Sequence, residues 1–252
     1  MKKKTEPTSL FKQTNFSNTI WWKLKVNISG YQNETGNNLV TEIFKNRIFK
    51  LIYPKKYQCM NKNSRILVQF FEDGYICWIN LNNLIIEKLV LKETNFETSD
   101  YSLIQKRIPT IIRWIKDQSK LKNTYLWGGT IGPNYDCSGL IQTAFFKHKI
   151  YIPRDAHQIK SFCKHLFNFK KNQNNLQEGD LLFFGNNEKC NHIGIYIGDG
   201  LYYHCSGTEL GRNGIGIDTI NNTQNKVSRY YKSNLISAGR VTRSYRWDKT
   251  IR

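Results

Sequence analysis

Tyr125-Leu-Trp-Gly-Gly-Thr-Ile-Gly-Pro-Asn-Tyr-Asp-Cys-Ser-Gly-Leu140 sets one cysteine, Cys137, between an acid and a serine, after a glycine-rich turn and before an apolar run. The pattern predicts a helix that begins at Cys137 or Ser138 and runs to about His148, with Leu140, Ile141, Ala144 and Phe145 as its buried stripe. A thiol in the first helical turn faces unpaired backbone N–H groups and the positive end of the dipole. Both lower its pKa and favour the thiolate. Gly139 is expected to keep the approach to the sulfur open, and Gly128, Gly129 and Gly132 to let the preceding loop fold tightly. A lone cysteine is more often a buried structural residue. The Asp, Ser and Gly flanks suit a helix start at a cleft instead, and so a nucleophile.

Strand-like runs follow at Asp180–Phe184, His192–Ile197 and Leu201–Cys205, and Gly198-Asp-Gly200 is a hairpin signal. A turn centred on Asp199 pairs Gly194 with His204 and sets His192 diagonally beside His204 on the same face. Each histidine alone is most simply an ordinary sheet residue. As a pair, on a face against which the Cys137 helix packs, they read as a base, His192, and the residue that orients it, His204. His148, His157 and His165 lack such a setting and read as surface or packing residues. Upstream, Ser99 or Asp100 caps a helix carrying Leu103, Ile104, Ile108, Ile111, Ile112 and Ile115. Pro109 should kink that helix or mark its first turn. Ile215–Ile220 and Ala238–Val241 are expected to complete the sheet.

The first half reads differently. Trp22–Val26, Arg47–Tyr53, Arg65–Phe71 and Tyr75–Ile79 are short alternating or β-branched and aromatic runs between Asn- and Gly-rich turns, which predicts a small barrel. The organisation expected is a mobile tail over 1–19, the barrel over 20–92, a linker from Lys92 to Asp100, and a second domain over 99–246. The fold class is α+β.

The net charge of +19 suggests an anionic polymer at first sight, but the lysines are spread over both halves and no nucleic-acid motif accompanies them. Nucleic acid is therefore not the expected partner. No stretch is long and apolar enough to span a bilayer, so no membrane partner is expected either. Six cysteines without framework spacing suggest free thiols in a reducing interior. Cys190 with His192, and His204 with Cys205, do not form a C-x-x-C zinc pattern, and no cofactor is called for. Met1-Lys-Lys-Lys has no apolar segment after it, so no cleaved signal is read and the cytoplasm is expected.

Together, Tyr125–Leu140, Gly179–Phe184, Asn191–Gly198 and Tyr203–Ser206 resemble the NlpC/P60 cysteine peptidases. Phe71-Glu-Asp-Gly-Tyr-Ile-Cys-Trp78 resembles a bacterial SH3 domain, and the pair resembles the cyanobacterial-type γ-D-glutamyl-L-diamino acid endopeptidases. The resemblance implies a papain-like catalytic domain with antiparallel sheet and helices behind an SH3-like barrel. It implies Cys137 as nucleophile, His192 as base and His204 as the polar third residue. The implied substrate is the stem peptide of peptidoglycan, as muropeptides with a free N-terminal L-Ala. It implies Tyr125 as an oxyanion donor, and Glu72, Asp73 and Tyr75 as groups to meet the substrate amine. Asp136 is either a second acceptor for that ammonium or the helix N-cap. Ser138 is expected to hydrogen-bond the substrate. Arg154 meets a carboxylate or serves as a structural ion-pair partner. Trp127 reads as core packing. The alternatives are a thiol amidase cutting between muramic acid and L-Ala, and a cell-wall-binding protein with an idle catalytic fold.

Overall fold

The computed structural model describes residues 20–52, 64–82, 84–90, 99–166, 175–186, 189–210 and 212–246. These fall into two compact units, 20–90 and 99–246. The expected tail, most of the expected linker, and Cys59 lie outside the described residues. No described helix is long and apolar enough to cross a membrane.

The first unit is one antiparallel sheet. Its strands are β1 (Ile20–Leu24), β2 (Ile28–Tyr31), β3 (Leu39–Ile43), β4 (Ile48–Leu51), β5 (Arg65–Phe70), β6 (Ile76–Asn80) and β7 (Ile86–Val90), in the order β3-β2-β6-β5-β4-β1-β7. Alternation builds the core. Ile66, Val68 and Phe70 of β5 point inward with Trp22, Phe49 and Ile79, and Leu67 and Gln69 point the other way with partial exposure. Among the described residues no ladder joins β3 to β7. Among those residues the sheet ends in two edges, and closure of the expected small barrel is not found.

The second unit is a six-stranded antiparallel sheet with four helices. The helices are α1 (Tyr101–Ser119), α2 (Cys137–Lys147), α3 (Ala156–Phe162) and α4 (Lys226–Ser233). The strands are β8 (Lys164–Leu166), β9 (Leu181–Asn186), β10 (Lys189–Tyr196), β11 (Leu201–Ser206), β12 (Gly214–Thr219) and β13 (Leu235–Arg240), in the order β12-β11-β10-β9-β13-β8. Asp100 caps α1 by accepting from the Leu103 N–H. The helix runs on through Pro109, which is not its first turn, and buries Ile104, Ile108, Ile111 and Ile115.

The central strands are apolar on both faces because both are covered. Leu181 and Phe183 of β9, Ile193 and Ile195 of β10, and Tyr203 and Cys205 of β11 form one core with α1 and α2. The alternate residues Leu182, Phe184 and Tyr202 form a second core with Tyr231 of α4. This two-sided burial explains the near-continuous apolar runs. It also corrects one expectation. His192 pairs with Phe184 and His204 with Gly194, so both imidazoles lie on the α4 face, opposite the face on which α2 packs.

Gly139 has a different use from the one expected. A Cβ there would meet the Gly129 carbonyl oxygen at 2.0 Å, so this glycine lets the loop of the quoted stretch close onto α2. Replacing Gly139 with Ala should destabilise the protein by about 1–3 kcal/mol through overpacking, read as a lower midpoint in urea unfolding.

Candidate active site

Cys137 is the first residue of α2, and Asp136 is its N-cap. The Asp136 carboxylate accepts from the backbone N–H groups of Gly139 at 2.6 Å and Gly128 at 2.8 Å. Arg154 grips the same carboxylate with Nη1 at 3.1 Å and Nη2 at 2.5 Å, and Nη1 also donates to the Ser138 hydroxyl at 2.9 Å. All three side chains are buried. Of the two readings of Asp136, the geometry shows the N-cap; of the two for Arg154, the structural ion pair. Ser138 is held inside this knot, donating to Asp136 at 3.2 Å. A buried pair of this kind holds the helix start in place and would leave a costly bare charge if either member were lost.

Cys137 is 7% exposed. Its sulfur lies 4.0 Å from the Asn191 carbonyl oxygen, and the backbone N–H groups of Ser138 and Ile193 point to it. The sulfur thus sits against the main chain on either side of His192. Burial pushes the thiol up to about 12, with the Asp136 charge as the next cause, and those two N–H groups and Arg154 only partly oppose it. The low thiol pKa expected from the helix start is not found, because burial and the Asp136 charge push the other way.

The histidines form a chain. The Asp199 turn, at φ 52°, gives the register Gly194 to His204. His192 Nε2 and His204 Nδ1 are 2.8 Å apart, and His204 Nε2 is 2.7 Å from Asp218 Oδ2. The other oxygen, Asp218 Oδ1, accepts from Ser228 Oγ at 2.6 Å and from Arg212 Nη2 at 2.8 Å. Asp218 comes from β12 and Ser228 from α4. Tyr231 of α4 stacks on His192 with centroids 4.4 Å apart and planes 26° apart, and meets His204 edge-on at 4.7 Å. Burial drives His192 well below the ordinary histidine value, and the neighbouring His204 adds to this. His204 is lowered too, burial outweighing the help of Asp218. Asp218 is held below the usual carboxylate range by its hydrogen bonds from His204 and Ser228 despite desolvation, and so stays ionised.

A cleft of about 370 Å³ opens beside this chain. Tyr125, Trp127, His192, Glu209, Tyr230 and Tyr231 are among its walls. Trp127 is not the core residue expected: it is 69% exposed. The Tyr125 phenol is raised by burial and by the nearby Cys137, so it is a hydroxyl donor at neutral pH. Cys190 turns its sulfur to the His192 backbone oxygen at 3.6 Å and leaves the ring alone.

The acids expected to meet a substrate amine already have a partner. In the first unit, Arg47 Nε lies 3.1 Å from Glu72 Oε2, and Arg47 Nη2 lies 2.7 Å from Asp73 Oδ1. Glu72 also accepts from the Ile48 N–H, and Asp73 from the Tyr75 N–H. Both acids are buried, and Tyr75 is half-buried against the core of its own sheet. Sequence reasoning missed Arg47. It also missed Asp218, Ser228, Arg212, Tyr231 and Glu209. The available signal was weak: an acid two residues past Gly216, which pairs with His204.

Residues 122–240 match the model of the NlpC/P60 family. A γ-D-glutamyl-L-lysine dipeptidyl-peptidase of Bacillus cereus is 37% identical over 83 residues, which are 32% of this chain and 23% of that one. The bifunctional muramidase/DL-endopeptidase CwlT of Bacillus subtilis is 31% identical over 121 residues, 46% of this chain and 32% of the other. The matched stretches thus span a third or less of those relatives' lengths. A crystal structure of an NlpC/P60 family protein from Bacillus cereus aligns with 93% of this chain and 66% of its own, at 21% identity and a TM-score of 0.46.

Both histidines have folded pKa values below the unfolded reference of 6.5. As pH falls through that reference, the unfolded chain takes up protons that the folded chain refuses. Stability should therefore fall with pH from about 6.5 downward, and replacing His192 with Gln should flatten part of that slope. Urea unfolding between pH 5 and 8 reads it.

Proposed function

We propose that this protein is a thiol peptidase that cuts peptidoglycan stem peptides between γ-D-Glu and the diamino acid. We take its substrates to be muropeptides with a free N-terminal L-Ala, and its setting to be cell-wall recycling in the cytoplasm. The first unit we read as a bacterial SH3-like accessory domain. The observation that carries the proposal is Cys137 in the first turn of a capped helix, set against the main chain flanking a His192–His204–Asp218 chain that opens on a cleft. The names of the relatives support this choice of bond and substrate class.

The site's electrostatics shape the mechanism. With burial pushing the thiol up and His192 down, the proton leaves as the sulfur attacks. His192 takes it through Nδ1, and the sulfur bonds to the γ-amide carbonyl carbon. The oxyanion accepts from the Cys137 backbone N–H and the Tyr125 hydroxyl. His192 then gives its proton to the leaving amine, the C–N bond breaks, and a thioester remains. Water, deprotonated by His192, hydrolyses the thioester and restores the thiol. Glu209 is the carboxylate among the described cleft residues. It offers a free N-terminal ammonium a counter-charge, whereas Glu72 and Asp73 are already paired with Arg47.

Incubating the protein with a stem tripeptide, and separately with its N-acetylated form, tests the reading by product mass. The expected result is release of L-Ala-γ-D-Glu from the free-amine peptide, loss of release in Cys137→Ala, and a drop of tenfold or more on N-acetylation. Equal turnover of the two peptides would remove the recycling assignment. Cleavage between muramic acid and L-Ala would replace the peptidase with an amidase. Binding to purified wall without release would leave a wall-binding module.

A further inference from the structure

We propose that Asp218 fixes which nitrogen carries the proton in both imidazoles, and so makes His192 Nδ1 the basic atom of the site. The argument is proton counting along three hydrogen bonds. An ionised carboxylate only accepts, so the 2.7 Å contact to Asp218 Oδ2 requires the proton on His204 Nε2. A neutral His204 then has a bare Nδ1. The 2.8 Å contact between that Nδ1 and His192 Nε2 requires the proton on His192 Nε2. A neutral His192 is thereby left with a bare Nδ1, which makes no hydrogen bond among the described residues. Each step is forced by the one before it, and the chain starts at Asp218.

The surroundings of Asp218 sharpen the consequence. Ser228 Oγ and Arg212 Nη2 both donate to Oδ1, and His204 sits on Oδ2. An amide at this position would keep its oxygen toward those two donors and turn its NH₂ to His204 Nε2. In Asp218→Asn the order therefore reverses. His204 Nε2 accepts, His204 Nδ1–H donates to His192 Nε2, and His192 carries its remaining proton on Nδ1. The shape of the site is kept and its base is removed. A merely structural acid would have no such effect on proton location.

Asp218 acts through His204 and is a positioning residue. Its activity arm rests on the proposed peptidase reading, and its spectroscopic arm does not. The experiment is long-range ¹H–¹⁵N correlation of the histidine rings at neutral pH, on wild type and Asp218→Asn, with His192→Gln and His204→Gln for assignment. The wild type should show Nε2–H with bare Nδ1 at both positions. Asp218→Asn should show Nδ1–H at both, and kcat/KM on the stem tripeptide should fall by about 10²–10⁴-fold with KM little changed. Ser228→Ala, which leaves the carboxylate in place, should keep the wild-type proton positions. Nδ1–H at His192 in the wild type would overturn the proposal, even if Asp218→Asn did not fold. So would unchanged proton positions in a folded Asp218→Asn. Absence of turnover in the wild type with the expected ring protonation would refute the peptidase reading and leave this inference standing.

Discussion

Two imidazoles on neighbouring strands meet edge to face across 2.8 Å, and the rest of the site is arranged to permit that bond. It requires the Gly194–His204 register, which the Asp199 turn fixes. It requires no side chain at Gly194, where a Cβ would meet the Tyr202 ring at 2.7 Å and the Tyr203 carbonyl at 2.9 Å. It also requires a lid. Helix α4 provides one from two positions a turn apart, Ser228 on the Asp218 carboxylate and Tyr231 on the His192 ring. A short helix near the end of the chain thus holds both ends of the histidine chain.

Burial of this site has a chemical cost and a chemical use. Desolvation raises the thiol and lowers the imidazole, which favours the proton on sulfur. Asp136 adds to that tendency, and Arg154 moderates it by closing the carboxylate in an ion pair. In the proposed mechanism this makes His192 a base held below the ordinary histidine value and Cys137 a nucleophile that ionises as it attacks.

Local features were legible in the sequence and cross-chain ones were not. The N-cap and start of α2 follow from three adjacent residues, Asp136-Cys-Ser138, and the hairpin register follows from Gly198-Asp-Gly200. His204 beside His192 is a consequence of strand geometry over twelve residues. Asp218 is different: it reaches His204 by pairing of β11 with β12, and nothing in Gly-Ile-Gly-Ile-Asp-Thr announces a functional acid. The face of the sheet was misplaced because its central strands are apolar on both sides, which erases the alternation that tells one face from the other. Glu72 and Asp73 looked available because Arg47 lies twenty-five residues upstream of the first of them. Trp127 looked like core because aromatic residues usually are, and only its place on the cleft wall shows otherwise. Barrel closure was not legible for a related reason. Short alternating strands specify a sheet, whereas closure depends on which edges meet.

The sulfur's part in the chemistry can be observed directly. Rapid acid quench of the protein turning over a stem tripeptide, followed by digestion and mass spectrometry, reads the peptide that contains Cys137. The account predicts an L-Ala-γ-D-Glu acyl adduct on that peptide, carried on the sulfur and lost after hydroxylamine. Undiminished product release with no adduct at Cys137, or with the cysteine already blocked by alkylation, would contradict it.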